Sequence, residues 1–193
     1  MKNNQVPLWI KLSYTLMVCV IVPIYWHEYG PTNFLWFCDI GMLVMLAALW
    51  LESRLLTSMM ALGVLPLEIF WFIGFFTGGW FLSIADYMFD STLPLYLRAL
   101  SLYHFPMPAV TIFMLMKFKY DTRALRLQIL LVTILLPVTR WITPEEENIN
   151  WVFQPEILQD LSVYMYIPLI TATLILVVYI PMHFVLKKYF PIN

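Results

Sequence analysis

The sequence predicts an all-α polytopic membrane bundle, one transmembrane helical domain over 1–193, from three observations: bulk apolarity, apolar runs of bilayer length, and basic residues gathered onto one set of connections. Of 193 residues, 62% are apolar and 12% charged, with a mean hydropathy of +0.79, whereas a soluble domain is roughly half apolar and about a quarter charged. A water-soluble fold of this length has too little interior to hide that much apolar surface. Several stretches run about 20 residues with one or two polar side chains, the length that crosses a hydrocarbon core of roughly 30 Å.

Apolar runs bounded by charges, turns or prolines place six spans near 8–26, 33–50, 55–76, 99–117, 124–141 and 161–186. The first run, Pro7 to Trp26, is too long for a signal-peptide core and lacks a small-x-small cleavage site, so it is expected to stay as a span. The connection 27–32 is a turn by its Gly-Pro pair, and Leu-Glu-Ser-Arg at 51–54 is another. Spans one to three are therefore expected as sequential antiparallel neighbours. The stretch 77–98 is aromatic, amphipathic and twice acidic, which fits an interfacial or partly re-entrant segment. The stretch 142–160 has the same character, and Thr143 or the acidic run after it is expected to begin a short helix.

Orientation follows from lysine and arginine. With the N-terminus inside, Lys2, Lys11, Arg54, Lys117, Lys119, Arg123, Arg126, Lys187 and Lys188 collect on the cytoplasmic side, leaving Arg98 and Arg140 outside, nine against two of the 11 basic residues. Both termini are then cytoplasmic. Glu28, Asp86, Asp90, Glu145, Glu146, Glu147, Glu156 and Asp160 fall outside, and tryptophans at span ends, among them Trp26, Trp50, Trp80, Trp141 and Trp151, suit an interfacial belt. The net charge of −1 offers no basic surplus for nucleic acid. The partner that the composition requires is the lipid bilayer.

Polar side chains inside spans are costly and are usually paired, buried against other helices, or functional. Asn33, Asp39, Glu68, His104 and Arg140 all fall in the outer leaflet. Helical spacing sets Ser101, His104, Pro108 and Thr111 on one stripe, Arg126, Leu130, Thr133, Pro137 and Arg140 on a second, and Tyr164, Pro168 and Thr171 on a third, each read as facing inward. Each buried carboxylate is either ionised and paired with Arg140 or a histidine, protonated, or bound to a cation. Asn33 and Asp39, six residues apart, are about 120° apart on one helical wheel, so only one of them is expected at a shared cavity.

His27 and Glu28, with His104 and the outer carboxylates, supply nitrogen and oxygen donors for a metal, but no His-Glu-x-x-His, His-x-x-x-His or cysteine pair fixes a site. Cys19 and Cys38 lie in apolar segments and read as packing residues. His183 is read as an interfacial histidine beside Lys187 and Lys188. The run Glu145 to Trp151 is read as a lid, with Asn148 and Asn150 offering hydrogen bonds, and Asp86 to Asp90 as the opposite wall. Neither a Gly-x-Ser-x-Gly elbow nor a phosphate-cradling loop is present, and no motif implies a cofactor. No internal repeat points to an inverted-repeat transporter.

The segments His27 to Asp39, Leu49 to Arg54, Asp86 to Asp90 and Glu146 to Trp151 together resemble a family of small bacterial polytopic membrane-associated proteins, over most of the chain. The resemblance implies the bacterial inner membrane, with the outer face periplasmic, and carries over no activity and no catalytic residue. The expectation is an outward-opening pocket for a small polar molecule or lipid headgroup. In its enzyme version, acting on a lipid or lipid-linked substrate, His104 is general acid or base and Glu68 or Asp39 its partner, while Asn33, Arg140, Asn148, Asn150, Asp86 and Asp90 bind the ligand. An ion- or proton-coupled carrier and an assembly subunit are the alternatives.

Overall fold

Apolar runs separated by proline, glycine and short polar turns leave the backbone one way to satisfy its hydrogen bonds in lipid, namely helices. The computed structural model describes residues 5–192, in which there are nine α-helices and no strand; Lys2 lies outside the described residues. Helix α1 (Leu8–Tyr29) starts after Pro7 and ends at Gly30, whose φ of 79° suits glycine. A 3-10 turn, Pro31–Leu35, precedes α2 (Phe37–Leu51), which closes at Glu52 in the left-handed region with φ of 49°. Ser53 then caps α3 (Arg54–Gly63) by accepting from the Leu56 N–H.

Helix α4 (Leu65–Phe76) follows at an angle of 46° to α3. Pro66 in the first turn of α4 explains the break, because its ring removes a donor and crowds the preceding turn. The connection after α4 then makes a 3-10 turn, Ser83–Met88. Next come α5 (Leu95–Leu100), a 3-10 turn Ser101–His104, and α6 (Pro106–Phe118), continuous enough to act as one 24-residue helix. Helix α7 (Ala124–Ile142) is followed by α8 (Val163–Thr173) and α9 (Ile180–Tyr189), which are joined by a π-helical stretch, Leu174–Tyr179.

Four helices are long and apolar enough to cross a membrane, Leu8–Tyr29, Leu95–Phe118, Ala124–Ile142 and Val163–Tyr189, and the bent pair α3 and α4 makes a fifth when taken as one span. The chain is a multi-pass membrane protein. Two details of the expected spans change. The span expected at 33–50 is a 15-residue helix from Phe37, about 22 Å at 1.5 Å per residue, because Trp36 leaves helical geometry and separates it from the turn before it. Thr143 begins no helix but closes α7, its Oγ donating to the Thr139 carbonyl, and a short 3-10 turn, Ile149–Trp151, follows the acidic run.

Helix α3 is the centre of the bundle, burying Thr57, Ser58 and Met60 to Gly63. On one side, Met60 joins a core of Tyr14, Val18, Ile21, Met42, Met45, Leu49, Met107 and Met114 from α1, α2 and α6. On the other, Ala61 and Leu62 join Val132, Leu136, Tyr179 and Leu186 from α7 and the last span. The stripe expected to face inward on α7 faces outward instead. Arg126, Leu130, Thr133 and Pro137 are exposed, whereas Gln128, Val132, Leu135, Leu136 and Thr139 are buried. Helix α7 presents Leu130 and Ile134 outward, as a lipid-facing surface requires, and turns its amide, Gln128, just over one turn from the helix start, to the protein. On the last span, Thr171 is buried while Tyr164 and Pro168 are exposed, and Tyr166 and Ile167 take the inward positions. The stripe Ser101, His104, Pro108 and Thr111 is buried throughout.

Candidate functional site

Two carboxylates sit in the first turns of helices that start inside the bundle, Asp39 in α2 and Glu68 in α4. A helix N-terminus presents partial positive charge and unpaired N–H groups, which lowers the cost of an anion there. Both side chains are nearly sealed from solvent, with 2% relative exposure each, and His104 has 5%. The breaks before α2 and α4 thus hold acidic groups at a depth where a continuous helix offers no such compensation.

Glu68 Oε2 lies 2.7 Å from His104 Nδ1. The imidazole is sandwiched between the Trp71 ring, centroids 4.3 Å apart, and the Tyr103 ring at 4.4 Å. A ring so clamped, with Nδ1 committed to a carboxylate, keeps Nε2 as its free basic atom when neutral. Asp39 is bound on both oxygens, Oδ1 accepting from the Tyr103 hydroxyl at 3.0 Å and Oδ2 from Asn33 Nδ2 at 3.0 Å. Tyr103 therefore links the two carboxylate groups, stacking on His104 and donating to Asp39. Beside them, the Tyr25 and Ser101 hydroxyls are 2.8 Å apart, and Trp71 Nε1 donates to the Tyr87 hydroxyl at 3.0 Å.

These groups line a cavity of about 770 Å³, within the size range of small-molecule sites. Asn33, Asp39, Glu68, Ser101, Tyr103 and His104 supply its polar wall. Tyr25, Trp36, Phe70 and Trp71 supply aromatic surface, and Leu82, Ser83, Ile84, Tyr87, Asn150 and Trp151 close it from the two long connections, 77–98 and 142–160. Asn33 and Asp39 meet here although one helical wheel separates them, because Asn33 belongs to the 3-10 turn and Asp39 to the helix beyond the Trp36 break.

Of the other sequence candidates, only Asn150 reaches the cavity wall, and its side chain is engaged in holding the fold. Among the described residues, Arg140 pairs with no carboxylate and its buried Nε has no partner; its guanidinium lies over the Phe153 ring, 3.9 Å from the centroid. Asn150 fastens the outer loop to α2, its Oδ1 accepting from the Phe37 N–H at 3.0 Å and its Nδ2 donating to the Leu35 carbonyl at 2.7 Å. Asn148 Oδ1 accepts from the Phe153 N–H within its own loop. Asp90 accepts from Thr92, which holds its carboxyl below the usual range, and Asp86 sits over Gly79 outside the cavity lining. His27 and Glu28 are exposed at the end of α1. Among the described residues, no group of three or more His, Cys, Asp and Glu side chains is arranged to hold a metal ion. His183 Nδ1 lies 2.8 Å from the Tyr120 hydroxyl, away from the cavity.

Sequence reasoning passes over Tyr103, Tyr25 and Trp36, since aromatic residues in a membrane protein carry no signal of their own. Gln128 does carry one, as an amide just over one turn into an apolar helix. It packs against Gly63, where a side chain would collide with its amide nitrogen. Compared with known proteins, the chain matches no family model, no curated protein sequence and no solved structure.

Proposed function

We propose that the outer cavity binds an amphiphile by its polar head and that the Glu68–His104 pair transfers a proton to or from it, as in an enzyme acting on a lipid or lipid-linked substrate. The observation that carries this reading is a carboxylate-oriented imidazole on the wall of a cavity otherwise rich in aromatic surface. Glu68 fixes the tautomer and ring direction and stabilises the imidazolium that forms when Nε2 takes a proton. Trp71 and Tyr103 keep the ring from rotating out of line.

The proposal includes six spans with both termini cytoplasmic, in the bacterial inner membrane. Phe37–Leu51 is then the short span, completed outward by residues 31–36, whose irregular backbone is tolerable because Asn33 and Trp36 line the cavity and not lipid. What supports this orientation is the lysine and arginine excess on one set of connections; Lys11 with Glu52, and Arg54 and Arg123 with Asp121, pair on the face taken as cytoplasmic.

A carrier is the second reading, favoured by the break between α3 and α4 directly before Glu68, since discontinuous helices often mark transport sites. The test is native mass spectrometry of the purified full chain, followed by incubation with membrane lipid extract. Wild type is expected to retain an amphiphile and convert a lipid, with turnover falling about 100-fold or more in His104→Gln while binding persists. Retention equal in wild type and in a Ser83→Trp variant that plugs the cavity mouth refutes the pocket. Uptake into liposomes driven by a pH gradient, without conversion, selects the carrier.

A further inference from the structure

We propose that the ligand of this cavity carries a positive charge, an organic ammonium group on an apolar body; this rests on the pocket reading above and specifies it. Among the described residues, the wall contains two carboxylates, Asp39 and Glu68, and no lysine or arginine. An anionic head, such as an isolated phosphate monoester, meets no permanent cation there. An ammonium meets the Asp39 carboxylate, with Glu68, already bonded to His104, on the same wall, at a depth where the low dielectric magnifies the attraction.

The surroundings agree. The two outer arginines are turned to other tasks, Arg98 donating to the Met88 carbonyl at 3.4 Å and Arg140 lying over Phe153. Glu28 stands exposed on the same side, next to Tyr29, which lines the cavity. Trp36 and Trp151, edge to face with centroids 5.8 Å apart, stand on the wall contributed by the outer turns. Aromatic faces attract a cation without demanding a hydrogen bond, so a quaternary ammonium is as acceptable as a primary amine. Trp71 is not part of this recognition, because Phe75 and His104 are stacked parallel to it. The 770 Å³ volume exceeds what a bare metal ion needs and accommodates a head with the start of a chain.

The full chain in nanodiscs of neutral lipid, with empty nanodiscs as the partition control, is titrated with decyltrimethylammonium, decylamine, decyl phosphate, decanol and tetramethylammonium. Saturable binding of the two cationic amphiphiles, at least tenfold tighter than the phosphate and the alcohol, is expected, and about tenfold weaker in Asp39→Asn. Saturation by tetramethylammonium at similar affinity identifies a small free amine as the source and supports the charge assignment; its failure beside tight decyl binding identifies a lipid-like amine. Equal or tighter binding of decyl phosphate or decanol overturns the charge assignment while leaving the pocket reading in place. No saturable binding of any probe, or binding unchanged in Ser83→Trp, overturns both. Should Asp39→Asn fail to fold, Tyr103→Phe, which frees one Asp39 oxygen without removing the charge, is expected to keep the cation preference, and its loss there counts against the assignment.

Discussion

At the scale of single residues, the cost of burying charge organises the site. Glu68 and His104 form a pair in which either member alone is a buried polar group without compensation, so Glu68→Ala is expected to destabilise the fold by about 3–5 kcal/mol. Glu68→Gln keeps an acceptor for Nδ1–H and is expected to cost less than half of that in chemical unfolding, while still abolishing turnover. On the opposite face, Asp121 lies under Arg123, whose Nη2 donates at 2.8 Å, and within 3.6 Å of Arg54 Nε. The Arg123 hydrogen bond holds the Asp121 carboxyl below the usual carboxylate range. Its stabilising effect is therefore complete above the unfolded value of about 4 and fades as pH falls through the lower native value. Thermal unfolding from about pH 6 to about pH 2 is expected to show wild type above Asp121→Asn at the upper end and the gap closing toward the lower. The polar inventory of the site was readable from its residue types, since Asn33, Asp39, Glu68 and His104 are conspicuous in apolar runs. Their partners were not, because a hydrogen bond such as Tyr103 to Asp39 joins positions 64 apart in the chain.

At the scale of elements, backbone breaks and close approaches position the cavity. Gly74 lets the outer turn Ser83–Met88 lie directly on α4: a Cβ there would stand 2.7 Å from the Leu82 carbonyl oxygen and 3.0 Å from Ile84. Gly74→Ala is expected to lift that turn at about 1–3 kcal/mol, read as faster amide exchange over 83–88 and weaker ligand retention. Gly63 plays the same part between α3 and α7, where Gln128 occupies the space a side chain would need. Gly63→Ala is expected to lower the melting temperature, and Gln128→Ala in the same chain to restore part of the loss, because the collision is with that amide. Helix existence was legible from apolar run length, and the Pro66 bend was available in principle. The stripe on α7 was misread because spacing gives the angle between residues but not which direction lipid occupies. In a bilayer the exposed face is also apolar, so Leu130 and Ile134 outward and Val132 and Leu136 inward have the same signature.

At the scale of the whole molecule, the bundle is asymmetric across the bilayer. One face carries the ion pairs of Lys11 with Glu52 and of Arg54 and Arg123 with Asp121, and the other holds the cavity and the acidic loops. A cysteine introduced at Glu146 is expected to react with an impermeant thiol reagent added outside intact cells, and one at Lys188 only after permeabilisation; the reverse pattern rejects the proposed orientation. By itself the sequence determined that this chain lives in a membrane as helices, because apolar run length and composition leave no other solvent and no other backbone solution. It also determined which side chains are too polar to be idle there. Only the tertiary structure decided which of them meet. Asn33 and Asp39 converge across the helix interruption at Trp36, Glu68 reaches His104 across 36 positions, and Arg140 turns to Phe153. These outcomes depend on helix packing and interhelical geometry, which periodicity along one chain does not encode.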